Sequence, residues 1–115
     1  MNAVFNNSLQ ENLNVAGVAG GAIRYPNKTN FSFCRNGDFP QPNMEMAWRC
    51  MGDTFQVLKL HKKPASRLRW KFQNAVLHCV SRNDGVCLGV IITNDSEFTE
   101  TRLSDVLREF VDLKA

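Results

Sequence analysis

The sequence predicts a mixed α/β fold, a single five-stranded antiparallel sheet with helices on both faces, in the order α-β-β-α-β-β-β-α. Three observations carry this. Apolar residues between Pro42 and Lys63 recur at helical spacing, those between Leu68 and Phe72 alternate with cations as in a strand, and Asp84-Gly85 between two apolar runs is a hairpin signature. Strands joined by tight turns pair antiparallel, and helices set before, between and after them must cover both faces. A chain of 115 residues, 43% hydrophobic and 22% charged, suits one domain with its own core.

The elements follow in order. Asn2 to Asn14 is rich in asparagine, yet Val4, Phe5, Leu9 and Leu13 include spacings of four, the mark of a short amphipathic helix. Val15 to Tyr25 is rich in small and β-branched residues, which fits a central strand whose glycines let another element pack closely over it. Pro26 to Asn30 is a turn cluster, and Phe31-Ser32-Phe33-Cys34 alternates as a half-buried partner strand before Arg35-Asn36-Gly37-Asp38 breaks the hairpin.

The long helix puts Met44, Ala47, Trp48, Met51, Phe55 and Leu58 on one face. Asn43 or a residue just before it caps the start, Glu45 suits the first turn, and Lys59, Lys62 and Lys63 suit the carbonyl end before Pro64 stops the helix. Gly52 costs the helix interior about 1 kcal/mol relative to alanine, which points to a close approach there. Next, Leu68, Trp70 and Phe72 alternate with Arg67, Arg69 and Lys71, giving a strand with one apolar and one cationic face. Ala75 to Ser81 and Val86 to Thr93 complete a meander, and a two-residue loop at Asp84-Gly85 would set Val90 opposite Cys79. Asn94-Asp95-Ser96 offers capping side chains for a last helix striped by Leu103, Val106, Leu107, Phe110 and Val111.

The net charge of +3 is small, but its distribution is uneven. Thr54 to Asn83 holds seven cations and no acid, whereas from Asp84 onward seven acids face three bases. Two readings stand: solvated faces of a helix end, a strand and a terminal helix, or a basic surface that selects an acidic partner. No apolar run approaches the roughly 20 residues of a membrane span, and the start has neither a basic front nor an apolar stretch, so a cytoplasmic protein with reduced thiols is expected.

Catalytic signals are nearly absent. General acid and base work needs titratable groups placed in a pocket, and the two histidines, His61 and His78, sit at a helix end and inside a strand. His78 and Cys79 point to opposite strand faces, so they cannot act as base and nucleophile or share a metal. Cys34, Cys50, Cys79 and Cys87 have no ligand spacing, and the glycines of GVAGG fit neither a dinucleotide nor a phosphate loop. No enzyme activity, cofactor or metal is expected. The basic segment 59–71 could serve a nucleic-acid-binding module, but Trp70 and Phe72 face away from its strand cations, whereas a stacking platform needs both on one surface. A small-molecule-sensing domain is the other alternative.

The layout as a whole resembles the roadblock (dynein light chain) family, relatives of the longin and profilin-like folds. The likeness is carried by Leu9 to Leu13 leading into Gly17-Val18-Ala19-Gly20-Gly21-Ala22-Ile23, by the helix from Met44 to Lys62, by the alternating strand Leu68 to Phe72, and by the hairpin LHCVSRNDGVCLGVII before a last helix. Tyr25 to Asn30 departs from the acidic residue and glycine often found at the family's first hairpin. The resemblance implies that residues 1–115 form one roadblock-like domain, a non-catalytic homodimer whose third strands pair edge to edge while the long helices lie side by side. It further implies a platform for a small Ras-like GTPase or another signalling or motor partner, in some members a GTPase-activating one that supplies no arginine finger. Met51, Gly52, Phe55, Leu68, Arg69, Trp70, Lys71 and Phe72 would then face the second copy, and the polar positions Glu45, Arg49, Gln56 and Lys59 would face the partner.

Overall fold

The structure, a computed structural model, describes residues 2–35, 41–62, 66–94, 98 and 100–114. Helix α1 (Ala3–Leu13) starts where Asn2 Oδ1 accepts the Val4 N–H at 2.8 Å, and it buries Phe5, Leu9 and Leu13, one per turn. Gly17, at φ 91°, turns the chain into β1 (Val18–Arg24), every residue of which is buried. β1 pairs with β2 (Asn30–Cys34) from Gly20↔Cys34 to Arg24↔Asn30. Helix α2 (Gln41–Leu60), about 30 Å long at 1.5 Å per residue, carries the chain to the opposite edge, where β3 (Arg67–Lys71), β4 (Ala75–Ser81) and β5 (Cys87–Thr93) form the meander before α3 (Glu100–Asp112). The strand order is β2-β1-β5-β4-β3, all pairs antiparallel, so β5 is central and β3 is an edge.

The sheet separates two cores. On one face α1 and α3 pack with Ile23, Val80, Leu88 and Val90; on the other, Met44, Trp48, Met51 and Phe55 of α2 pack with Ala22, Leu77, Cys79 and Ile91. Glycines bring α2 down onto the strands. A Cβ at Gly89 would lie 2.8 Å from Met51 Sδ and from Trp48 Cζ3, and one at Gly20 would lie 2.7 Å from Met44 Cε.

Element boundaries depart from the sequence expectations in a few places. Asn43 lies within the first turn of α2 and does not cap it, since the helix begins at Gln41. Lys62, at φ 58°, takes the left-handed position after the helix that glycine usually fills, and its N–H reaches the Lys59 carbonyl. The expected stop at Lys63 and Pro64, the break at 36–38 and the capping residues Asp95 and Ser96 lie outside the described residues. Val111 is exposed, which narrows the stripe of α3 to Leu103, Val106, Leu107 and Phe110.

Both hairpins close on three residues. Tyr25 N–H reaches the Thr29 carbonyl with Lys28 at φ 69°, and Arg82 N–H reaches the Val86 carbonyl with Gly85 at φ 88°. Each is a turn completed by a left-handed residue, the usual three-residue form. Gly89, not Val90, therefore stands opposite Cys79, and Cys87 stands opposite Ser81. β4 and β5 are buried on both faces and show no polar alternation, so only the turn sets their register.

Arg82 ties this second hairpin to both helices of its face. Its side chain is 10% exposed, and its guanidinium donates to the carbonyls of Phe110, Val111 and Leu113 at the end of α3 and pairs with Asp84 at 3.2 Å. The same group sits 4.4 Å above the Phe5 ring and 5.6 Å from that of Phe110, while the two rings stand 5.4 Å apart.

Candidate binding surface

β3 pairs on one side only, from Arg67↔Val80 to Lys71↔Val76, and among the described residues its outer backbone groups have no strand partner. Its alternation is as the sequence predicts. Leu68 and Trp70 are half-buried toward α2, while Arg67, Arg69 and Lys71 are exposed on the opposite face. Aromatics and cations thus occupy opposite sides of the sheet.

An apolar groove of about 390 Å³ runs along this edge between α2 and β3. Met46, Ala47 and Cys50 form its helix wall, Trp70 and Phe72 its strand wall, and Leu77 and Ile91 its floor. Met46 is 60% and Phe72 52% exposed, and Val57 and Leu60 extend the exposed apolar surface along α2. Exposed Asp53 interrupts the stretch between Cys50 and Val57.

The residues expected against a second copy divide four ways. Phe72, Leu68 and Trp70 line the open edge, and Arg69 and Lys71 lie on the other face. Met51 and Phe55 do not reach the surface: they are 0% and 7% exposed inside this chain's own core. Their helical stripe marks burial, and the sheet of the same chain supplies it. The close approach at Gly52 comes from Arg24, since a Cβ there would lie 3.1 Å from Arg24 Cγ and Nε. Arg24 is buried and donates to the Lys28 carbonyl and to Asn30 Oδ1. The surface that α2 does present, through Met46, Cys50 and Val57, has a sequence signal in spacings of four and seven. The denser stripe of the core face overshadows it.

Glu45, Arg49, Gln56 and Lys59 are all exposed and fall within an arc of about 80° on the helix. Glu45 borders a small cleft with Ser32 and Phe33 of β2, and Gln56 and Lys59 line a mixed cleft of about 350 Å³ with Phe55, Ser66, Ser81 and Asn83.

The titratable groups show little activated chemistry. His78 is buried on the α3 side, directly across from Arg69, and among the described residues its Nδ1 has no hydrogen-bond partner. Burial, then Arg67 and Arg69, hold its pKa below the ordinary value, with Glu100 acting in the opposite sense. Burial pushes the Cys79 and Cys87 thiols up, so neither is a ready nucleophile. Among the described residues no three His, Cys, Asp or Glu side chains converge to hold a metal, and no helix is long and apolar enough to cross a membrane.

The sequence matches no protein-family model and none of the curated proteins. Solved structures do match. The fold is similar to that of Myxococcus xanthus MglB, at 13% identity over 95% of this chain and 93% of that one, with a TM-score of 0.64. A roadblock/LC7 domain from Streptomyces avermitilis is 9% identical, with 92% and 90% covered and a TM-score of 0.66. An MglB structure with a tetrameric arrangement is 9% identical, with 97% and 88% covered and a TM-score of 0.64. The chain therefore has the roadblock fold, at identities where the likeness is one of architecture.

Proposed function

We propose that this chain is a non-catalytic regulatory platform of the roadblock type. It works as a homodimer, residues 1–115 forming one domain, and docks a small Ras-like GTPase or a comparable signalling or motor partner. The observation that carries the reading is the apolar groove beside the open edge of β3. A second copy related by a two-fold axis extends the sheet through β3 and covers Met46, Phe72 and their neighbours in the same step. The roadblock fold supports this, and so does the tetrameric arrangement described for an MglB of that fold.

The surface left for a partner is the arc of Glu45, Arg49, Gln56 and Lys59, polar and outward on α2. Sedimentation of the purified chain at roughly 50 µM should give a dimer, a concentration at which an interface of ordinary size is well populated. Met46→Asp with Phe72→Asp should give a folded monomer, and a monomeric unaltered chain would refute the assembly. Arg49→Glu with Lys59→Glu should weaken capture of an identified nucleotide-binding protein from native lysate while leaving the dimer intact. Capture that ignores the double reversal would place the docking surface elsewhere.

A further inference from the structure

The cationic face of β3 has no role in the function proposed above. Arg67, Arg69 and Lys71 stand about 6.7 Å apart along one face of the strand, and all three are exposed. Among the described residues a single carboxylate answers them, Glu100 at 3.8 Å from Arg69, in a pair whose side chains are 49% and 83% exposed. A pair that open is weak. Beneath the row lies His78, its Nδ1 without a partner among the described residues, where burial first and then the charges of Arg67 and Arg69 resist a further proton. Among the described residues the three cations of this face thus meet one carboxylate.

Dimerisation through β3 doubles the field. A two-fold axis perpendicular to the sheet keeps each face on its own side, so side chains directly opposite across the new ladder come from the same face. In every such register the cations of one copy meet those of the other; with full overlap, Arg69 stands opposite Arg69 of the second copy and Arg67 opposite Lys71. Opposed residues in an antiparallel ladder have Cα atoms about 4.5–5.5 Å apart, and like charges so placed oppose the pairing. Among the described residues, six cations then gather against two copies of Glu100, in a patch that one chain alone cannot form.

We propose that this composite patch docks an acidic peptide segment of a partner protein, laid across the two-fold axis. The inference rests on the dimer proposed above. A peptide is favoured by spacing, because carboxylates at alternate residues of an extended chain repeat at the same interval of about 6.7 Å. A nucleic acid is disfavoured because the strand's own rings, Trp70 and Phe72, lie on the opposite side of the sheet from its cations, so β3 does not interleave stacking and charge on one surface. By linkage, a ligand that binds only the dimer strengthens it.

The test compares the unaltered chain with Arg67→Thr/Arg69→Thr/Lys71→Thr by sedimentation at low salt, with and without a synthetic peptide of alternating glutamate and serine. Melting curves verify that the variant is folded. With peptide at about ten times its Kd for the dimer, the dimer of the unaltered chain should tighten about tenfold and the variant should be unchanged. Without peptide, the variant should dimerise more tightly than the unaltered chain, because the opposed charges are gone; raising the salt should tighten the unaltered dimer in the same way. A dimer that ignores the peptide, or a variant that responds equally, overturns the acidic site and leaves the dimer standing. Monomers throughout, with and without peptide, overturn both. A single-stranded DNA of matched charge that tightens the dimer more than the peptide does replaces the peptide with a nucleic acid.

Discussion

Replacing Arg82 with methionine keeps most of the stem and removes the guanidinium. In the folded chain that group makes hydrogen bonds to the Phe110 and Leu113 carbonyls in a partly buried setting, a third to the exposed Val111 carbonyl, and stacks over the Phe5 ring. Hydrogen bonds from a charged donor contribute about 1.5–3 kcal/mol each when buried, and the cation over a ring adds about 0.5–2 kcal/mol. These do not add freely, because one side chain makes them all and holding it still costs about 2 kcal/mol of rotamer entropy. The net loss should be about 3 kcal/mol, or about 12 °C in Tm for a chain of this length. Thermal unfolding followed by circular dichroism measures it. Arg82→Lys keeps a charge near Phe5 but loses the fork that spans several carbonyls, so it should fall about midway. A methionine variant within about 1 kcal/mol of the unaltered chain would refute the clamp.

Three further outcomes are expected. Gly89→Ala pushes a methyl group to 2.8 Å from Met51 Sδ and the Trp48 ring, and should lower stability by about 2 kcal/mol in urea unfolding; a neutral result would mean that α2 stands further from the sheet. His78 has its folded pKa lowered, chiefly by burial, so the unfolded chain takes up the proton first and stability falls as pH drops below the ordinary value of 6.5. His78→Leu should flatten that acid slope between pH 7.5 and 5 and raise Tm by removing the orphaned Nδ1; an unchanged slope would assign it to another group. A strong reductant with a chelator should leave Tm unaltered, and alkylation at neutral pH should spare the buried Cys79 and Cys87; early labelling of Cys79 would contradict its burial.

Much of this architecture is written in local patterns. The spacing of Met44, Trp48, Met51 and Phe55 is enough to orient α2, and the alternation from Arg67 to Phe72 places cations and aromatics on the correct opposite faces. What those patterns lack is the identity of the neighbour. Periodicity says that Met51 and Phe55 are covered; only the folded chain says that their own sheet covers them, leaving Met46 and Phe72 exposed. The register of β4 and β5 is hidden for a related reason, since strands buried on both faces look alike under a shift of one residue. The Arg82 clamp joins groups 28 to 31 residues apart, and no local signal marks it.

The seam between β1 and β5 divides the sheet into two pieces that are each local in the chain, the β1–β2 hairpin and the β3–β4–β5 meander. Joining Arg24 to Cys87, and Ile23 to Leu88, closes a loop of more than sixty residues with α2 inside it. By the logarithmic law for loop closure this costs about 4 kcal/mol of chain entropy before the seam returns anything. Either piece exposes apolar strand faces until the other arrives, so neither has much reason to persist alone. The seam is therefore where folding is slowest and most cooperative, and α2 is the tether that sets its rate: its apolar face can bridge β1 and β5 only when both are present, through Met44 over Gly20 and Met51 over Gly89.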